Sequence, residues 1–292
     1  MSSDQNAPKA SEGDWIEEAH SDVTLRYRVK RRLFNGESAF QKVEVVDSEK
    51  FGRMLFIDGY VMVTERDEFI YHDMIAHPAL FTHPDPKRVL IIGGGDGGTA
   101  REVLRHQGLE RIVMVEIDAM VVDACKEFIP QTAAALDDPR LDLIIGDGVG
   151  FMAESDETFD VIIVDSTEPI GPATPLFGDA FYRDVDARLS EKGVVVAQGE
   201  SPNVGAEGQA ALFQIVSNAF PIACAYNYAN MTYPCGFWSF VYGSKGVDPL
   251  SDFDPVRVAN SDLEFQYYNA DIHRAAFALP SFQQHLFTST KR

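Results

Sequence analysis

Arg88-Val-Leu-Ile-Ile-Gly-Gly-Gly-Asp-Gly-Gly-Thr-Ala-Arg-Glu-Val103 decides the fold. An apolar, strand-like run leads into Gly93-x-Gly95-x-x-Gly98, and a helix-like run follows at once. Glycines there let the backbone turn sharply and approach a ligand, while the helix N-terminus beyond presents free N–H groups. Such a turn is common among Rossmann-like domains. What sets this one apart is Asp96, an acid inside the turn. Its charge repels a pyrophosphate or a carboxylate and attracts a cation. The turn therefore suits an adenosyl ligand with a positive tail.

Working outward, Ile112-Val-Met-Val-Glu-Ile-Asp118 is an apolar run ending in acids, with Glu116 near the spacing of a ribose-binding carboxylate. One carboxylate accepts from both ribose hydroxyls. Leu141-Asp-Leu-Ile-Ile-Gly-Asp-Gly148 ends in Asp147, which can accept from an exocyclic adenine amine, and Gly148, which leaves room for a flat ring. Phe159-Asp-Val-Ile-Ile-Val-Asp165 and Gly193-Val-Val-Val-Ala-Gln-Gly-Glu200 also end in acids. Open parallel sheets bind ligands at these strand ends. A strand-end acid can instead merely cap the next helix, but four in successive strand ends favour a binding site.

At 292 residues and 45% hydrophobic content the chain has room for one large and one small domain. It contains no run of 18 or more apolar residues, so no membrane span is expected. The N-terminal residues 1–14 read as a disordered tail without the apolar core of a signal peptide. Cys125, Cys224 and Cys235 lack metal-ligand spacing and suit reduced thiols of a cytoplasmic protein. The seven histidines are scattered, so no metal is expected. A net charge of −20 opposes nucleic acid and anionic membranes as partners. It would concentrate cationic substrates, and solubility in a salty cytoplasm explains it equally well.

Residues 15–66 read as a small antiparallel β domain. Phe40–Val46 and Arg53–Ile57 are strand candidates, and Asp58-Gly59 is a hairpin turn before Val61–Thr64. Glu65–Phe81 is helix-like, with Phe69, Ile70, Met74 and Ile75 at core spacing. Residues 67–292 form the main domain, in which five apolar strands alternate with helical segments up to Phe220. A final strand pair brackets Tyr233–Gly236, and a helical tail ends the chain.

Asp165-Ser-Thr-Glu-Pro-Ile-Gly-Pro172 places two acids on a loop stiffened by proline, and the stretch to Phe177 is long enough to fold over a ligand. Asp165 and Glu168 together can hold an amine by charge and geometry. Glu168-Pro169 as a simple turn is the structural alternative.

With these motifs the chain resembles the polyamine aminopropyltransferases, the spermidine synthase family. The likeness lies in Thr64-Glu-Arg-Asp-Glu-Phe-Ile-Tyr-His72, Gly93–Gly98, Glu116-Ile-Asp118, Gly146-Asp-Gly148, Asp165–Pro172, Thr232-Tyr-Pro234 and Tyr267-Tyr-Asn269. It runs in order from about Trp15 to the C-terminus. The resemblance implies a methyltransferase-like Rossmann domain, a mostly parallel doubly wound sheet, behind the small β domain. It also implies transfer of an aminopropyl group from decarboxylated S-adenosylmethionine to putrescine, giving spermidine and methylthioadenosine. No cofactor is then needed, because the donor is a co-substrate.

By the same resemblance Asp165 is the acid that orients the acceptor amine and takes its proton. Tyr71, Glu168 and Tyr233 belong to the acceptor site. Gln41, His72, Asp96, Glu116, Asp147 and Gly148 belong to the donor site, with Asp96 on the aminopropyl ammonium. A structural role for His72 is an equal alternative. Glu168 stands where many members carry aspartate, and Glu200-Ser-Pro-Asn-Val-Gly205 lacks an aromatic residue after its proline. Both departures leave cadaverine, agmatine or spermidine open as acceptors. Tyr226, Tyr228, Tyr233, Phe237 and Trp238 could wall a methylene chain, and a β-sheet core explains them too. A putrescine N-methyltransferase and a non-catalytic polyamine-binding protein are the rival readings. Asp96 with Asp165 opposes the first, and the intact acid set opposes the second. A homodimer or homotetramer is expected, with the N-terminal strands offering a route to pairing.

Overall fold

The computed structural model describes residues 13–20 and 23–289. The expected tail lies outside the described residues except for Gly13 and Asp14, and Asp14 pairs with Arg32 at 2.8 Å. A five-stranded antiparallel sheet comes first, in the order β1 (Trp15–Ala19), β2 (Thr24–Glu37), β3 (Lys42–Ser48), β4 (Arg53–Ile57) and β5 (Tyr60–Thr64). Asp58 and Gly59 both adopt positive φ, 50° and 88°, in the two-residue turn joining β4 to β5. That twist matches the right-handed twist of the flanking strands, so the Asp-Gly pair fixes the hairpin register. β1 and the long β2 carried weaker sequence signals, because their outward faces are rich in Arg, Lys and Glu.

The second sheet has seven strands in the order β11-β12-β10-β9-β6-β7-β8. Its members are β6 (Arg88–Gly93), β7 (Arg111–Glu116), β8 (Leu141–Ile145), β9 (Phe159–Asp165), β10 (Leu189–Gln198), β11 (Ile222–Ala229) and β12 (Phe237–Ser244). The first five pair in parallel, and β12 joins β10 and β11 antiparallel. Side chains alternate along the strands as the pleat requires. Val89, Ile91, Val161 and Ile163 pack on one face with the long helix α1 (Glu68–Thr82), while Leu90, Ile92, Ile162 and Val164 pack on the other with Met152, Phe181 and Val216. Both faces are covered, which is why these strands read as unbroken apolar runs.

Strand order reverses between β6 and β9, where Gly93 pairs with Asp165. From β6 the chain steps one way to β7 and β8, then returns to β9 and β10 on the other side. That reversal opens a crevice at the carboxyl ends of the two strands, and ligands of open α/β sheets bind there. Helix α1 joins the two sheets. Val43, Leu55 and Val63 of the first sheet share one buried cluster with Ile70, Met74 and Ile75 of α1. Asp67, just before α1, accepts from Thr64 Oγ1 at 2.6 Å and from the Met231 and Thr232 amides at 3.0 and 2.9 Å. This buried aspartate ties the end of the first sheet to the loop that carries Tyr233.

Candidate active site

A cleft of about 1160 Å³, open mouth included, lies between the first sheet and the carboxyl ends of the parallel strands. Gln41, Tyr71, His72, Asp96, Glu116, Asp147, Gly148, Asp165, Glu168 and Tyr233 all line it. Residues nearly 200 positions apart in the chain therefore meet in one chamber.

The glycine turn sets the floor. Gly93, Gly94 and Gly97 hold φ of +83°, +77° and +84°, a region that L side chains avoid. The Gly94 amide donates to the Asp165 carbonyl at 2.9 Å. A Cβ on Gly93 would stand 2.1 Å from that same oxygen, so the turn presses directly on the end of β9. After the turn comes α2 (Gly98–Leu104), whose first residue lies flat against the His72 ring.

On one side of the turn, the buried Glu116 accepts the Asp118 amide at 2.9 Å. Burial, with the charges of Asp118 and Asp165 close by, pushes the Glu116 carboxyl up to about 7. Asp118 caps α3 (Ala119–Phe128) through the Met120 amide at 2.9 Å. Its other oxygen accepts from Ser38 Oγ at 2.7 Å and Gln41 Nε2 at 3.1 Å. Gln41, just before β3, thus reaches across to Asp118. Asp147 lines the cleft while also capping the helix Gly148–Glu154 through the Val149 amide at 2.9 Å. Helix capping therefore does apply to Asp118 and Asp147, and Asp147 also lines the cleft. A Cβ on Gly148 would meet Ile92 Cγ2 at 2.6 Å.

Asp165 ends β9 at the centre. Tyr71 donates its hydroxyl to Oδ1 at 2.6 Å, and Thr99 donates Oγ1 to Oδ2 at 2.7 Å. Burial and the charge of Asp96 raise the Asp165 carboxyl, against the opposing effects of His72 and of these two hydrogen bonds. His72 is buried and faces a carboxylate from each nitrogen: Nδ1 lies 2.6 Å from Glu68 Oε2, and Nε2 lies 3.2 Å from Asp96 Oδ1. Burial alone would discharge the imidazole, but Asp96 and Glu68 outweigh it and raise His72 to about 10.

His72, Asp96 and Asp165 offer ligand atoms within 4.8 Å of one another, one of two such groups among the described residues. Both His72 nitrogens face carboxylate oxygens, Nδ1 that of Glu68 and Nε2 that of Asp96. In the second group, Asp73, His77 and Glu102, the Glu102 carboxylate is already held by Arg101 and Arg105.

The other arm of the cleft is aromatic and acidic. Tyr71, Tyr228, Tyr233 and Trp238 line it, with ring centroids 5.3–6.1 Å apart from Tyr228 through Tyr71 and Tyr233 to Trp238. Tyr233 is anchored by its hydroxyl to the Met62 carbonyl at 2.6 Å. Tyr226 belongs to the core instead, bonded to the Met74 carbonyl at 2.8 Å. The loop after Asp165 folds over the opening, and Pro172, Ala173 and Leu176 of its 3₁₀ turn face the cleft. Burial raises the carboxyl of Glu168 on that loop.

Sequence reasoning missed two contributors here, Thr99 and Glu18, while Glu200 was already legible as a strand-end acid. Thr99 directly follows the last glycine of the turn. Glu18 points inward from β1, with Oε2 unpartnered among the described residues, and lines the cleft beside Gln198. Glu200 sits behind them at φ +66°. Burial and the charge of Glu168 push Glu18 and Glu200 each up to about 8. Glu18 had one legible signal: it shares a strand face with Ile16, an acid at an inward position of an alternating segment.

Two family models match the chain. One, described as the spermidine synthase tetramerisation domain, covers residues 14–65, and one described as the spermine/spermidine synthase domain covers residues 68–255. Among its relatives, polyamine aminopropyltransferase 1 of Bacillus cereus is 46% identical over 263 residues, 90% of this chain and 94% of that protein. The polyamine aminopropyltransferase of Bacillus subtilis is 44% identical over 268 residues, 92% of this chain and 96% of that one. Among solved structures, a spermidine synthase in complex with the transition-state analogue AdoDATO superposes with a TM-score of 0.93 at 39% identity, covering 96% of each chain. Spermidine synthase from Thermotoga maritima superposes with a TM-score of 0.90 at 38% identity, covering 95% of each.

Proposed function

The chain belongs to the spermine/spermidine synthase family, and from that premise we propose that it moves the aminopropyl group of decarboxylated S-adenosylmethionine to putrescine. It is a polyamine aminopropyltransferase, and spermidine and methylthioadenosine are the products. The observation that carries this reading is the placement of Asp165, held by Tyr71 and Thr99 where the glycine turn meets the aromatic, acidic arm.

The chemistry is an in-line displacement at the carbon beside the sulfonium. The acceptor nitrogen forms the new C–N bond, and the C–S bond breaks with its electron pair going to sulfur. The donor supplies its own leaving group, so the reaction needs no cofactor. A free alkylamine holds its proton up to about pH 10.4, so the acceptor nitrogen must lose one to attack. Burial and the adjacent sulfonium favour that loss, and Asp165 accepts the proton. A carboxylate is a weak base, so orientation by Asp165 and Tyr71 contributes more than proton affinity.

On the donor side, Glu116 takes the ribose hydroxyls, Asp147 and Gly148 the adenine, and Gln41 closes the site from the first sheet. Asp96 takes the propyl ammonium, its Oδ1 already bonded to His72 and to the Gly98 amide at 2.8 Å. An acid there disfavours ordinary S-adenosylmethionine, whose own carboxylate would face it. On the acceptor side, Tyr228, Tyr233 and Trp238 wall the methylene chain. Glu168, Glu18 and Glu200 receive the far ammonium, whose charge relieves their mutual repulsion. Cadaverine remains the second acceptor reading, favoured by the unpartnered oxygens of Glu18 and Gln198, which line the cleft together with Glu168.

Among the described residues no helix is long and apolar enough to cross a membrane. We place the enzyme in the cytoplasm as a homo-oligomer assembled through its first sheet, a tetramer in keeping with the matching family model. Incubation with decarboxylated S-adenosylmethionine and equal amounts of putrescine, cadaverine, agmatine and spermidine tests the whole reading. Spermidine and methylthioadenosine should dominate by mass. Another aminopropyl product would move the specificity to Glu168 and its neighbours. Product only from S-adenosylmethionine would overturn the reaction.

A further inference from the structure

The cleft holds a buried histidine, His72, set between the carboxylates of Glu68 and Asp96. One nitrogen of His72 and one oxygen each of Asp96 and Asp165 lie within 4.8 Å of one another. Two carboxylates this close in a dry site would share a proton rather than both ionise. Ionised Asp165 is what accepts the amine proton, and ionised Asp96 is what holds the ammonium, so the proposed reaction needs both charges at once.

Behind His72 stands a second tier. Glu68, one helical turn earlier on α1, accepts from His72 Nδ1 at 2.6 Å. Arg101 of α2 grips Glu68 with two nitrogens at 2.8 and 2.9 Å, and Gln131 adds a third bond at 2.7 Å. Burial disfavours the Glu68 charge, yet His72 and Arg101 hold that carboxyl down at about 2. Gly98 seals the ring face, since a Cβ there would lie 2.1 Å from the imidazole. The ring is all but fully buried, with 1% of its surface exposed. The charged groups facing it are Glu68 on its own helix, Asp96 from the glycine turn and Asp165 from β9, with Arg101 acting through Glu68. Tyr71 meets the ring edge-on at 5.4 Å, and the buried Cys125 of α3 lies within reach of the Asp96 charge.

We infer that Glu68 is a positioning residue of the transfer reaction: it locks His72 as an imidazolium, and that cation lets Asp96 and Asp165 be carboxylates together. The inference rests on the proposed roles of Asp96 and Asp165. Without the cation, Asp165 ionises only at higher pH.

The test uses Glu68→Gln, His72→Gln and the double variant in the full-length enzyme. Ring-nitrogen NMR of the wild type at pH 8 should show His72 with both nitrogens protonated, its signals identified by their loss in His72→Gln. In Glu68→Gln only one nitrogen should be protonated at that pH. The acid limb of the kcat/KM profile should move up by at least about one pH unit, roughly ten-fold in rate below the limb. His72→Gln should show the same shift, and adding Glu68→Gln to it should move the limb no further. A merely structural role would lower activity at every pH and would add to the His72→Gln loss.

Three results overturn the inference: a neutral His72 in the wild type, an unmoved acid limb in His72→Gln, or a further shift in the double variant. Should Glu68→Gln fail to fold, the wild-type spectrum and the His72→Gln profile still decide it. Failure of the catalytic reading is separable, because Asp165→Asn would then turn over normally whatever the state of His72.

Discussion

The Tyr71 hydroxyl stands 2.6 Å from Asp165 Oδ1, so the long helix that joins the two sheets reaches the end of β9 through one phenol. Thr99, the second residue of α2, holds the other oxygen at 2.7 Å. Both carboxylate oxygens of Asp165 are therefore already oriented before any ligand arrives. Asp165→Asn should keep donor binding and slow turnover by about 10²-fold or more. Thr99→Val leaves Oδ2 without its donor and costs about 1–3 kcal/mol in transition-state stabilisation, with the donor dissociation constant unchanged. Single-turnover rates with saturating donor check both, and a normal rate in Asp165→Asn removes that residue from the chemistry.

Asp96 offers the cleft one oxygen that is not already bonded to the Gly98 amide and His72. Asp96→Asn removes the charge that separates an ammonium from a carboxylate. We expect weaker binding of decarboxylated S-adenosylmethionine and a narrower preference over S-adenosylmethionine, by about 1.5–3 kcal/mol for a lost hydrogen bond to a charged group. Titration calorimetry with both ligands reads this directly. An unchanged ratio would mean the ammonium binds elsewhere.

Gly98→Ala puts a methyl group 2.1 Å from the buried His72 ring, and neither α1 nor α2 can step back without disturbing the first-sheet core. Overpacking of this kind costs about 1–3 kcal/mol. Gly108→Ala, with open space around its Cβ, should leave the melting temperature nearly unchanged. Equal melting temperatures for the two variants would show that the helices yield easily at His72.

Three buried acids set how stability varies with pH. Glu116 is raised to about 7, and Glu18 and Glu200 to about 8. Each folded carboxyl holds its proton above its unfolded value, so its stabilising contribution is complete below about pH 4.3 and is lost as pH rises through 7 to 8. His72, raised to about 10, adds a loss in the same direction between its ordinary value and 10. His106 and His273, lowered to about 3 and about 4, act oppositely, but only below the ordinary histidine value. The substrate-free protein should therefore melt at falling temperature from pH 7 to pH 9. Glu18→Gln with Glu200→Gln should flatten that slope and raise the putrescine KM. A slope that steepens in the double variant would contradict the charge assignment.

Much was legible from the chain alone because the deciding features are local. Positive-φ glycines after an apolar run make the β6 turn wherever they occur, Asp58-Gly59 makes its hairpin, and alternation along β6 and β9 follows from the pleat. An acid at a strand end is likewise placed by its strand, which is why Asp96, Glu116, Asp147 and Asp165 could be named before their surroundings were known.

What only the tertiary structure decided is which charges those side chains meet, since that depends on contacts across the whole chain. Thr99 meets Asp165 across 66 residues, Gln41 meets Asp118 across 77, and Asp67 meets Thr232 across 165. Glu18 joins the acid cluster only because β1 closes the first sheet over the cleft. Charge state follows the same rule, for desolvation and neighbouring charge are properties of the packed site. For His72 the sequence left a donor-site role and a structural one equally open, and only the packed site sets it between the carboxylates of Glu68 and Asp96.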